Sequence, residues 1–178
     1  MPFTPFHFGP GAALHSAAPR KISFLSFCAA NVLIDFESLY YLRRGDYPVH
    51  RFFHTFVGAT IAIAATVALF LLAKKCLAKT RFPNLFWWKD LVWLPVITGA
   101  VLGGYSHILL DGIMHRDIHP LAPFSDANPF LEIIFVGRLH ELCLASGLLG
   151  IAVIVLCQLY GKAGKEKDRR CRPSNGSN

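Results

Sequence analysis

FVGATIAIAATVALFLLA, residues 56–73, is an unbroken run of eighteen residues without a charge, histidine, proline, asparagine or glutamine, and the pair Lys74 and Lys75 closes it. As a helix it covers roughly 27 Å at about 1.5 Å per residue, close to the ~30 Å hydrocarbon core of a bilayer. Residues 91–110 and 142–160 repeat the pattern, the former running for twenty residues with no formal charge. Three such helices in a chain of 178 residues leave too little polar sequence to cover them in water, so the chain reads as an integral membrane protein. The composition agrees: 53% hydrophobic and 16% charged residues exclude an intrinsically disordered chain, because disorder needs low hydrophobicity and dense charge.

A fourth segment, residues 22–42, is apolar to Ile34 and is then interrupted by Asp35 and Glu37. It has the length to cross a bilayer if the two acids are tolerated, as a functional span, or it is half-inserted. Before it, Pro2, Pro5, Pro10 and Pro19 with Gly9 and Gly11 argue against a continuous helix. No basic stretch and cleavage site mark the start as a secretory signal. The expected architecture is all-α: a membrane bundle of about four helices, three clear spans plus one polar-interrupted span, with an irregular N-terminus. Residues 1–160 form one membrane domain with spans near 22–42, 56–73, 91–110 and 142–160. The basic tail, 161–178, reads as solvated and disordered.

The formal charge of +7 follows this layout. Lys74, Lys75, Lys79, Arg81 and Lys89 fill the loop after the 56–73 span, and Lys162, Lys165, Lys167, Arg169, Arg170 and Arg172 the tail, whereas residues 111–141 carry only Arg116 and Arg138 against five acids. The positive-inside rule puts the first two regions, and the C-terminus, in the cytoplasm. Arg20 and Lys21 fit the same side, giving four spans with both termini inside; Arg43, Arg44 and Arg51 run against it. Phe86, Trp87, Trp88 and Trp93 read as an aromatic belt at the cytoplasmic interface. The excess charge thus serves topology, and the partner expected is a lipid bilayer, not a nucleic acid. The five cysteines are scattered without a Cys-x-x-Cys pair, so neither a disulfide framework nor a thiolate metal site is expected.

The informative residues are the polar ones at the opposite ends of the spans. His50 and His54 precede the 56–73 span, His107 and Asp111 end the 91–110 span, and Asp35 and Glu37 lie near the same end of the fourth segment. Ionisable groups in or beside hydrocarbon cost several kcal/mol unless paired or ligated, at about 2.5–3.5 kcal/mol each on insertion scales. Residues four apart share a helix face, so His50 with His54, and His107 with Asp111, can each close on one cation. Imidazole with carboxylate suits zinc, with manganese or iron as alternatives. A metal with an open position supplies an activated water, which is a hydrolase's toolkit. His50 and His54 also read as an interfacial packing pair, His115 and His119 as either site or hydrated turn, Arg138 with Glu141 as an ion pair, and His15 and His140 as surface or packing residues.

His50-Arg51-Phe52-Phe53-His54-Thr55 resembles the His-Arg-x-x-Thr-His-Ser element of the YdjM-like inner-membrane proteins, a family described as membrane-bound metal-dependent hydrolases. Ser106-His107-Ile108-Leu109-Leu110-Asp111 is similar to the family's Ser-His-x-x-x-Asp signature, followed by a proline-containing loop, here Pro120 to Pro123. The segment around Asp35 is similar to its Pro-Asp-x-Asp element, and His7 stands where an early histidine is usual. This chain departs in having Phe53 and Thr55 around His54 and Glu37 in place of the second aspartate. The resemblance implies a divalent metal, zinc foremost, held by His54, His107 and Asp111, with His7, Asp35 and His50 as further ligands or supports. Asp35 or Glu37 would act as general base and Arg51 would neutralise an anionic substrate. It further implies a multi-pass inner-membrane protein, and a site at the interface implies an amphipathic or lipid-linked ester or phosphoester as substrate. A cation or proton transporter and a haem-binding or scaffolding subunit are the rival readings.

Overall fold

A computed structural model describes residues 5–77, 80, 81, 84 and 88–171, with side chains through residue 160. Among the described residues all regular structure is helical: a 3-10 turn at Pro5–His7, α1 (Phe8–Ala17), α2 (Phe24–Arg44), a second 3-10 turn at Phe52–His54, α3 (Phe56–Leu77), α4 (Trp93–Met114) and α5 (Val136–Cys171). Three of these are long and apolar enough to cross a membrane: α3, α4 and the Val136–Tyr160 part of α5. The polar-interrupted segment is a single continuous helix, α2. The side chains of the basic tail lie outside the described residues, as do Phe86 and Trp87 of the expected aromatic belt.

Local chemistry sets the helix ends. Ser23 caps α2, its Oγ accepting the amide of Ser26, which satisfies a donor that no helical carbonyl reaches. Gly45 stops it at φ 70°, its amide turned back to Leu42; glycine takes this left-handed conformation without the Cβ penalty. The hydroxyl of Thr55 accepts the Gly58 amide at the start of α3.

The α2–α4 seam organises the bundle. Gly99, Gly103, His107 and Asp111 recur every four residues on α4 and share one face, as do Phe27, Asn31 and Asp35 on α2. A Cβ on Gly99 would stand 2.2 Å from the Ser23 carbonyl oxygen, and one on Gly103 would stand 2.4 Å from that of Phe27. The small residues let the two backbones touch. Ser23 meets Pro95 and Gly99, Phe27 meets Gly103, and Asn31 and Asp35 meet His107. Because both series ascend together, α2 and α4 run parallel. α3 returns between them against a core of Ile34, Ala59, Ala62 and Ile108.

The N-terminus departs from the sequence expectation. Residues 8–17 form a continuous helix despite their proline and glycines. Pro10 sits in the first turn, where no intrahelical donor is needed. The glycines are contact points: a Cβ on Gly9 would meet the Cys143 carbonyl at 2.0 Å, and one on Gly11 the Phe27 ring at 2.5 Å. α1 thereby packs along α5, with Gly9 against Cys143 and Ala12 against Gly150. α1 starts beside Asp111, where His7 lies, and descends toward Ile22 and Ser23, which meets Pro95 at the start of α4. The N-terminal turn and the end of α5 consequently lie at opposite ends of the bundle, not at one end. Arg20 and Lys21 lie near the end that holds Lys74, whose ammonium bonds to the Leu91 carbonyl.

Candidate metal centre

Asp35 of α2, His54 of the turn before α3, and His107 and Asp111 of α4 point one ligand atom each into a common space, all mutually within 4.8 Å. His107 Nε2 lies 3.2 Å from Asp111 Oδ2, 3.4 Å from Asp35 Oδ1 and 3.4 Å from His54 Nε2. His54 Nε2 lies 3.7 Å from Asp111 Oδ2 and 3.9 Å from Asp35 Oδ1. Four donors held about 2.0–2.1 Å from one centre are roughly 3.3–3.4 Å apart along each tetrahedral edge. The observed spacings of 3.2 to 3.9 Å therefore match a shell around a single small cation. All four side chains are buried, and burying such groups without compensation is costly.

The surrounding residues fix how the ligands face. The Asn31 amide donates to the carbonyls of Phe27 and Gly103, which turns its oxygen toward His107 Nδ1 at 3.0 Å. His107 Nδ1 must then carry the proton, and Nε2 presents its lone pair to the shared space. This is the outer-shell arrangement that orients metal-binding histidines. Glu37 accepts the amides of Phe52 and Phe53 with its two oxygens and lies 3.7 Å from His54 Nδ1. It stands behind the His54 ring and braces the turn that carries it. Burial works against a charged His54, but Asp35 and Glu37 outweigh it and raise its pKa, which reports the concentrated negative charge at that point.

His7 is buried, with Nε2 3.0 Å from Asp111 Oδ1, yet neither its two ring nitrogens nor that oxygen has a hydrogen-bond partner in line. Native structures seldom leave such groups orphaned, and His7 Nε2 with Asp111 Oδ1 is a nitrogen and oxygen pair of the kind a cation takes.

His50 lies beside His54, ring centroids 4.7 Å apart, and its Nδ1 contacts both oxygens of Asp117 at 2.9 and 3.0 Å. Burial, reinforced by His54, lowers its pKa despite Asp117, and burial lowers that of His115. Arg51 is exposed, with its guanidinium over the Tyr41 ring and Nε donating to the Pro48 carbonyl; it is not among the clustered ligand atoms. His119 bonds the Asp126 carbonyl, His15 the Ile22 carbonyl, and His140 stacks on Phe6, so these three are structural. Arg138 and Glu141 pair on the surface.

Sequence reasoning missed the bracing role of Asn31. Its signal was present, an amide in an otherwise apolar helix at four-residue spacing from Phe27 and Asp35. No protein-family model, curated protein or solved structure matches the chain.

Proposed function

We propose that this protein is a membrane-bound, metal-dependent hydrolase, of the kind implied by its resemblance to the YdjM-like proteins, acting on an amphipathic ester or phosphoester at the membrane interface. The observation that carries the reading is the buried set Asp35, His54, His107 and Asp111, with ligand atoms spaced as one cation's shell requires. Nitrogen and oxygen donors without thiolate favour zinc, and they also suit manganese or iron. Bound there, such a cation supplies Lewis acidity and a water whose pKa lies near neutrality.

The chain's own residues supply the rest. His54, His107 and Asp111 would hold the cation, Asn31 orients His107, Glu37 braces the turn that carries His54, and Asp35 would yield its place in the shell to a water and take that water's proton. That water's oxygen joins the carbonyl carbon or phosphorus, the ester bond breaks, and the proton passes to the departing alkoxide. Half-buried His115 and Asp117 mark the surface side of the cluster, from which a substrate headgroup would approach. Below His107 the α2–α4 seam continues as Gly103, Phe27, Ala100 and Gly99 with no ionisable side chain, which favours a closed reaction site over an ion path.

The test is turnover of fluorogenic carboxyl-ester, phosphomonoester and phosphodiester lipids in mixed micelles by the zinc- or manganese-loaded full chain. Chelation and Asp35→Asn should each abolish hydrolysis, with restoration by added metal only in the parent. Equal turnover by the parent and Asp35→Asn would overturn the assignment, as would no turnover of any of the three classes.

A further inference from the structure

His50, Asp111 and His115 form a second group whose ligand atoms lie within 4.8 Å of one another, next to the four-residue site and sharing Asp111 with it. The two groups are built alike. Each takes one histidine from the segment ahead of α3, His54 or His50, and one from α4 or the residue that ends it, His107 or His115, with Asp111 four residues from each of the latter two in sequence. The His50 and His115 ring centroids lie 4.6 Å apart. His50 repeats the bracing seen at His107: Asp117 takes its Nδ1, leaving Nε2 as the nitrogen free to bind a cation.

Asp111 is placed as a bridge. Its Oδ2 faces His107 and His54, while its Oδ1 is turned the other way, toward His7, and accepts no hydrogen bond. A buried carboxylate oxygen without a donor is costly, and a second cation beside Asp111 would satisfy it.

The geometry points to a dinuclear centre, in which a second divalent cation is held by His50 and His115 and bridged to the first by Asp111. This rests on the four-residue site proposed above. Paired metals, typically about 3.5–4 Å apart, clamp both the attacking and the leaving oxygen of an in-line displacement. That chemistry fits phosphate esters as the substrate class.

The experiment is manganese(II) titration of the purified full chain in detergent, read by elemental stoichiometry and by electron paramagnetic resonance. The parent should bind two equivalents and give the spectrum of a coupled ion pair. His115→Ala and His50→Ala should each bind one equivalent and give an isolated six-line signal. One equivalent in the parent, lost in His107→Ala, would overturn the second site and leave the first standing. No binding in the parent would overturn both. Two equivalents retained by both His50→Ala and His115→Ala would overturn the assignment of these ligands. Because the parent's stoichiometry and spectrum already decide for or against two sites, failure of either variant to fold leaves the proposal falsifiable.

Discussion

Asn31 on α2 and His107 on the parallel helix α4 are joined through Oδ1 and Nδ1 at 3.0 Å, and this contact decides which nitrogen of His107 faces the ligand cluster. The amide cannot turn over, because its nitrogen is committed to the Phe27 and Gly103 carbonyls. Asn31→Leu keeps the branching at Cγ, with added volume, and removes the acceptor. Metal affinity should fall by about 10–100-fold, the usual cost of losing an outer-shell partner, measured by competition with a chelator of known affinity. An unchanged affinity would show that the tautomer is set elsewhere.

The same seam makes a packing prediction. A methyl at Gly103 meets the Phe27 carbonyl at 2.4 Å and its Cα at 2.9 Å, both backbone atoms that cannot swing aside. Gly103→Ala should therefore force α2 from α4, destabilise the protein by about 1–3 kcal/mol, and weaken metal binding one turn above. Gly112→Ala is the control, since its nearest neighbour is the Phe130 ring at 3.4 Å. Thermal unfolding in detergent should separate the two variants clearly; equal midpoints would mean the helix contact is looser than described.

Glu37 makes a prediction that distinguishes bracing from acid–base chemistry. Glu37→Ala removes the acceptor for two amides in the turn carrying His54 and should cost about 1–3 kcal/mol of stability, together with metal affinity. Glu37→Gln keeps one good acceptor and should fall between Ala and parent in both. If Glu37 were instead the proton acceptor of the reaction, Gln would lose turnover with stability and metal content intact.

Topology is testable without the metal. The ligand cluster sits at one end of the bundle and the Arg20, Lys21 and Lys74 side at the other. The positive-inside rule predicts that the basic end faces the cytoplasm. In a cysteine-free variant, Phe124→Cys, at a position 87% exposed, should react with a membrane-impermeant maleimide from the extracytoplasmic side. A cysteine restored at position 76, also exposed, should react only after the membrane is opened. Reversed labelling would place the cluster in the cytoplasm.

Several features were legible in the sequence because they depend on spacing along one helix. The clean apolar runs at 56–73, 91–110 and 142–160 correspond to α3, α4 and α5, and the four-residue step from His107 to Asp111 gave their shared face. α1 was not legible, since proline and glycine read as breakers when Pro10 occupies a tolerated first turn and Gly9 and Gly11 serve tertiary contacts. Long-range bracing was also hidden. That Glu37 would cap the Phe52–His54 turn, or that Asn31 would face His107, depends on how α2 sits against its neighbours, which no local pattern encodes. His115 was undecided between site and turn for the same reason: its partner, His50, is 65 residues away along the chain.

The most direct test of the central claim is the divalent-metal content of the full chain, loaded with zinc, dialysed and analysed by element-specific mass spectrometry, alongside His107→Ala and Asp111→Ala. The parent should hold stoichiometric metal, and each variant should lose the cation held by the four-residue site. Parent-level metal in both variants, or none in the parent, would contradict that claim.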